Sequence, residues 1–202
     1  MFRLGKALAI AAAGCAIAAP VALAATINGT SGNDTLMGTS SPDTIKALAG
    51  DDTVWGQGGN DLIDAGSGDD TVYGDGDCLP GVNSSDYCEP ASRSTDGADN
   101  ISGGDGNDAL FGQGGNDNID GDAGADRIYG GPGNDNIDGD DGNDVITGGS
   151  GSDNISGNDG NDKIYARDGV KDTITCGNGP MDTVDADKID VIAKDCENVT
   201  RH

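Results

Sequence analysis

The chain has 202 residues, 36 of them glycine and only 3% aromatic, so a conventional thick hydrophobic core is excluded. Its 36 acidic against 11 basic residues give a formal charge of −25, which repels nucleic acid and anionic membranes. Divalent cations are the natural counter-charge for such a chain.

The first element is an N-terminal segment over residues 1–24. Arg3 and Lys6 precede a small apolar stretch, Ala7 to Ala19, and Ala22-Leu23-Ala24 supplies an A-x-A cleavage motif. This reads as a removable secretory signal, with cleavage after Ala24, and not as a membrane span. Losing Arg3 and Lys6 takes the formal charge from −25 to −27. A competing reading makes Cys15 a lipidated N-terminus behind Ala12-Ala13-Gly14, but the leucine usual three places before such a cysteine is missing.

From residue 25 to 165 the chain keeps a nine-residue beat. Thirteen aspartates carry it: Asp34, Asp43, Asp52, Asp61, Asp70, Asp99, Asp108, Asp117, Asp126, Asp135, Asp144, Asp153 and Asp162, each followed two places later by an aliphatic residue. Windows such as Gly112 to Asp120 (GQGGNDNID) and Gly130 to Asp138 (GGPGNDNID) show the full unit. Six residues form a turn, in which glycine allows positive φ and close backbone approach. The last three form a strand whose middle residue points inward. That inward set is Leu36, Ile45, Val54, Ile63, Val72, Ile101, Leu110, Ile119, Ile128, Ile137, Ile146, Ile155 and Ile164, mostly β-branched and suited to a stacked ladder. Two units complete a coil of 18 residues with two facing parallel sheets.

The beat breaks once, between Asp70 and Asp99. Deleting Gly76 to Thr95 joins Gly74-Asp75 to Asp96-Gly97-Ala98-Asp99 and restores a repeat close to Gly139–Thr147 (GDDGNDVIT). Residues 76–95 are therefore expected to leave one turn as a surface loop, pinched by a Cys78–Cys88 disulfide, with the roll continuous beneath it. The loop carries Tyr87, Glu89 and Arg93 and reads as a tolerated insert or as a recognition element.

In tandem, these units fit G-G-x-G-x-D-x-U-x, and the chain resembles the RTX calcium-binding repeat proteins over roughly residues 29–165. The resemblance implies an all-β fold, a right-handed parallel β-roll, and folding induced by calcium. The thirteen aspartates then become metal ligands. Each would act with glycine carbonyls from a neighbouring turn stacked ~4.8 Å away, matching calcium's preference for six to eight oxygens. Seven turns on one side and six on the other allow at most 11 calcium ions. No softer ligand is available, since the one histidine is His202 at the C-terminus, so zinc or iron fits poorly. The alternative, aspartates serving only as turn formers, leaves thirteen carboxylates repelling one another in register. One departure from the family is the N-terminal signal, because RTX proteins are commonly exported by a type I route without one.

Residues 166–202 form a degenerate cap. The repeats lengthen to ten residues (Ala166–Thr175, Cys176–Asp185), and a Cys176–Cys196 disulfide would anchor this end. The tail resembles the C-terminal end of small secreted RTX proteins from actinobacteria. Four cysteines outside the signal segment permit three pairings, of which two short local bridges are the simplest.

Sorting the ninth positions by sheet separates two outer faces. One carries Met37, Trp55, Tyr73, Phe111, Tyr129, Thr147 and Tyr165; the other carries Lys46, Asp64, Ser102, Asp120, Asp138 and Ser156 beside an Asn100, Asn118, Asn136, Asn154 ladder. The aromatic face (Trp55, Tyr73, Phe111, Tyr129, Tyr165) either stabilises a thin fold by stacking or offers a glycan, cell-surface or self-association surface. HExxH and GxSxG motifs are absent and no internal histidine can act as a general base, so an enzyme is not expected. A hydrolase using only carboxylates is the remaining catalytic alternative. Ice binding would need a rank of turn threonines that neither side supplies. The sequence reading is thus an extracellular calcium-binding roll.

Overall fold

The computed structural model describes residues 24–75 and 96–202. The segment 76–95, with Tyr87, Glu89, Arg93 and the expected Cys78–Cys88 bridge, lies outside the described residues, as do the signal segment through residue 23 and Cys15. Among the described residues no helix is long and apolar enough to cross a membrane.

Strands alternate between two nine-stranded parallel sheets. The first, in spatial order, holds β1 (Thr26–Asn28), β3 (Thr44–Lys46), β5 (Leu62–Ser67), β7 (Asn100–Asp105), β9 (Asn118–Ala123), β11 (Asn136–Asp138), β13 (Asn154–Ser156), β15 (Thr173–Thr175) and β17 (Val191–Ile192). The second holds β2 (Thr35–Met37), β4 (Thr53–Gln57), β6 (Thr71–Asp75), β8 (Ala109–Phe111), β10 (Arg127–Pro132), β12 (Val145–Ser150), β14 (Lys163–Ala166), β16 (Thr183–Ala186) and β18 (Asn198–Arg201). Each strand pairs with the strand two elements on, so one coil takes two strands and two turns. Ile27 pairs with Ile45, and Ile137 with Ile155, an offset of 18 residues. Across residues 76–95 the offset is 38, Ile63 pairing with Ile101, and the ladder continues in register. Near the C-terminus the ten-residue repeats are absorbed in the turns: Asn154 pairs with Thr173 and Lys163 with Thr183. Residues 166–202 therefore extend both sheets, and a Cys176–Cys196 disulfide ties the last coils together.

All thirteen aliphatic residues expected to face inward are at most 2% exposed, and Ile174 and Val184 continue the two rows. Such a core is only two side chains thick, yet burying each is worth ~1.5–3 kcal/mol. The first position of each turn also points inward and holds glycine or a small residue such as Ala47, Ala65, Ala166, Cys176 or Ala186.

Several strands run longer than the expected three residues. In β5, β7, β9, β10 and β12 the ladder passes three residues into the following turn. Within β5, β7, β10 and β12 the second turn position is a glycine at positive φ (Gly66, Gly104, Gly131, Gly149), and elsewhere this position takes positive φ without glycine: Leu48 (85°), Gln57 (87°), Gln113 (73°), Asp122 (66°), Asp140 (64°) and Asn158 (68°). The outer faces match the sorted pattern. Asn154 and Asn136 donate their side-chain N–H groups to Oδ1 of Asn136 and Asn118 at 2.7 and 2.8 Å. On the other sheet Trp55, Tyr73 and Phe111 stack, with centroids 5.8 and 5.0 Å apart and planes within 10°. Their ring faces are turned toward one another, so this part of the stripe presents edges to its surroundings.

Candidate metal centre

The sixth turn position generates two continuous spines of carboxylates, one on each side of the solenoid. In each spine the backbone N–H of one aspartate donates to Oδ1 of the aspartate one coil ahead. Along the first side Asp34 donates to Asp52 at 2.7 Å, Asp108 to Asp126 at 2.8 Å and Asp144 to Asp162 at 2.9 Å. Along the second, Asp43 donates to Asp61 at 2.8 Å and Asp117 to Asp135 at 2.9 Å. Two links, Asp61 to Asp99 and Asp70 to Asp108, join residues 38 apart at 2.7 Å. The aspartate carbonyls are used as well, each accepting the N–H that opens a strand of the next coil, as Asp126 does from Val145 at 2.9 Å.

Oδ1 is therefore satisfied within the protein, and Oδ2 is not. The Oδ2 atoms of Asp52, Asp61, Asp70, Asp99, Asp108, Asp117, Asp126, Asp135, Asp144, Asp153 and Asp162 are buried with no donor. Beside those of Asp61, Asp99, Asp108, Asp117, Asp126, Asp135, Asp144 and Asp162 lies a carbonyl from the next coil. A Cβ on Gly121 would sit 2.7 Å from Oδ2 of Asp126 and 2.6 Å from the carbonyl oxygen of Gly139. At Gly139 the same distances are 2.6 Å to Asp144 and 2.8 Å to the Gly157 carbonyl. At the fourth position the packing is tighter still. Gly124, at φ 151°, lies against the Gly106 carbonyl of the preceding coil, where any side chain would collide. A buried, unsatisfied carboxylate oxygen is costly. Burial accordingly pushes the carboxyl pKa up, to about 7 for Asp61, Asp135 and Asp144 and to about 8 for Asp99, and neighbouring carboxylates push the same way.

A hard cation suits this arrangement. Among the described residues no three His, Cys, Asp or Glu side chains gather at one point. An ion here would draw on one or two carboxylates and otherwise on carbonyl oxygens, the donor set that calcium favours and that zinc does not.

The ends of the spines differ from the middle. Oδ2 of Asp34 accepts the N–H and hydroxyl of Thr30, at 2.5 and 2.8 Å, and Oδ2 of Asp43 accepts the N–H of Thr39 at 2.5 Å. Threonine thus supplies the donors that the interior turns lack. At the other end the spines run past the thirteen expected residues. Asp153 donates to Asp172 at 2.8 Å, Asp162 to Asp182 at 2.9 Å, and Asp172 to Asp190 at 3.0 Å. Asp182 is fully buried and keeps a free Oδ2, whereas Oδ2 of Asp190 accepts the Asp187 N–H at 2.6 Å. A fixed nine-residue count misses these three because the turns have lengthened. The signal that finds them is an aspartate two places before an aliphatic residue, in Asp172-Thr-Ile, Asp182-Thr-Val and Asp190-Val-Ile.

A family model for the RTX calcium-binding nonapeptide repeat matches the chain at residues 28–63, 47–77, 93–128, 111–146, 120–155 and 147–170. The matches together span 28–77 and 93–170, more than half of the 202 residues. No curated protein matches the chain.

Proposed function

The chain belongs to the RTX calcium-binding nonapeptide repeat family, and from that membership we propose that it is a secreted protein whose roll forms by binding several calcium ions outside the cell. One observation carries this reading: eleven array aspartates each keep one buried carboxylate oxygen without a donor, and eight of these oxygens lie beside a carbonyl of the next coil. The ions would be held by those Oδ2 atoms, from Asp52 to Asp162, together with first-position carbonyls such as those of Gly139 and Gly157. Asp34 and Asp43 would contribute least, since Thr30 and Thr39 already satisfy them. Calcium supplies positive charge to oxygens that are otherwise desolvated, and its binding energy becomes folding energy. In a compartment poor in calcium the acidic chain would stay expanded and fit for export, in keeping with the N-terminal signal read from the sequence.

A partner-binding role for the aromatic stripe finds less support. Trp55, Tyr73 and Phe111 spend their ring faces on one another, which favours stabilisation of the sheet. A glycan or cell-surface contact would rest on Tyr129 and Tyr165, which are 38% and 45% exposed. No observation favours a hydrolase. Far-UV circular dichroism of the full chain in chelator and in millimolar calcium tests the main proposal, with calorimetric titration giving the ion count. At neutral pH strand signal should appear only with calcium, and a roll fully formed in chelator at that pH would overturn it.

A further inference from the structure

The turn that departs most from the repeat is the one split by residues 76–95. Its first two positions are Gly74 and Asp75, and its third to sixth are Asp96, Gly97, Ala98 and Asp99. The split turn stacks in line with its neighbours. Gly97 lies against the Gly59 carbonyl on one side and Gly115 against the Gly97 carbonyl on the other. Its second position, however, holds a carboxylate that is only 1% exposed. Oδ2 of Asp75 accepts the Gly97 N–H at 2.9 Å and so joins the two stems of the split. Oδ1 of Asp75 is buried and has no donor.

Two further unsatisfied oxygens belong to this turn and to the turn stacked on it. Oδ2 of Asp99, also 1% exposed, has no donor and flanks Gly74 together with the carbonyl of Gly112. One coil on, Gln113 occupies the same second position, two residues past Phe111, which pairs with Tyr73. Oε1 of Gln113 is buried and without a donor as well. Asp99 is the charged group acting most strongly on Asp75, followed by Asp96 and Asp117. Elsewhere in the spines each turn offers a single buried carboxylate oxygen. Here two carboxylates and an amide offer three, and the other carboxylates at this second position, Asp122 and Asp140, are only partly buried.

We propose that Asp75 and Asp99, with the Gln113 side-chain oxygen and the Gly112 carbonyl, form a distinct calcium site at the split turn, tighter than the array sites and filled first. This rests on the calcium-binding reading above. Two buried carboxylates concentrate charge that a divalent hard cation neutralises completely, whereas an array site offers one such group per turn. Filling it first would fix the stems of the split and keep coils on both sides in register, so that the remaining sites bind to a roll already nucleated.

The test is calcium titration of the full chain, wild type against Asp75→Asn, with Asp141→Asn, an exposed turn residue, as control. Asparagine keeps an oxygen for the Gly97 N–H and removes one charge. The wild type should show one ion tighter than the rest. Asp75→Asn should lose that phase, with its affinity down roughly 10- to 100-fold, at least the loss seen when a residue supporting a metal ligand is removed. The variant should still reach the wild-type strand signal in saturating calcium, and in chelator it should be no less structured than the wild type. Unchanged tight binding in Asp75→Asn overturns the proposal, and so does failure of this variant to fold in saturating calcium, which would make Asp75 a structural staple alone. A wild type that binds no calcium would instead overturn the functional reading itself.

Discussion

Removing calcium should make the roll sensitive to pH in the direction opposite to most carboxylate-rich proteins. Without metal, burial holds Asp70, Asp108, Asp117, Asp126 and Asp162 at about 6, Asp61, Asp135 and Asp144 at about 7, and Asp99 at about 8, against an ordinary value of 3.8. The folded chain then holds more protons than the unfolded one between about pH 4 and these values, so metal-free stability falls as pH rises. Solvent screening reduces the effect of each group. Keeping only about one unit for each of these nine, at ~1.4 kcal/mol per unit, opposes folding at neutral pH by on the order of 12 kcal/mol. That equals the whole net stability of a typical domain, about 5–15 kcal/mol. Calcium reverses the balance, since a single site at a hundredfold excess over its Kd contributes about 2.7 kcal/mol. Circular dichroism in chelator should therefore show little strand at about pH 7.5 and a gain of strand on acidification to about pH 5, while calcium-loaded protein should lose affinity over the same interval as protons compete. Strand content in chelator that is already complete at the higher pH, or that does not rise at the lower, would refute the reasoning.

Three further outcomes follow from individual residues. Asp182→Asn should lower the number of bound calcium ions by one without loss of fold, because Asp182 has the same buried, donor-free Oδ2 as the array aspartates; an unchanged count by calorimetry or native mass spectrometry would confine binding to the nonapeptide array. Leu48→Gly should raise the melting temperature by a few degrees, since a left-handed leucine costs ~1–2 kcal/mol and glycine's added chain entropy returns only ~0.5–1 of it. Ile137→Ala should cost ~2–5 kcal/mol, read as a higher calcium concentration at the folding midpoint, while Ile27→Ala at the partly buried first coil should cost less.

The period alone was enough to place the strands, the inward aliphatic rows and the side of the solenoid on which each aspartate lies. These follow from one residue-level rule repeated in register, and the structure keeps that rule across the 38-residue step from Ile63 to Ile101. What the period hides is which oxygen of each aspartate is used. Both ends of Asp117 look alike in sequence, yet Oδ1 takes the Asp99 N–H at 2.9 Å and only Oδ2 is left for a ligand. The period also treats Asp34 as equal to Asp126, although Thr30 four residues earlier closes Asp34 while Asp122 at the equivalent position, at φ 66°, gives Asp126 Oδ2 no donor. The distinction is a matter of donors: where the chain brings its own N–H or hydroxyl to the second oxygen, a cation has less to offer. By that criterion the binding capacity of the roll is set by its interior turns together with Asp182, and the outermost turns, at Asp34, Asp43 and Asp190, serve chiefly as caps that its own hydrogen bonds complete.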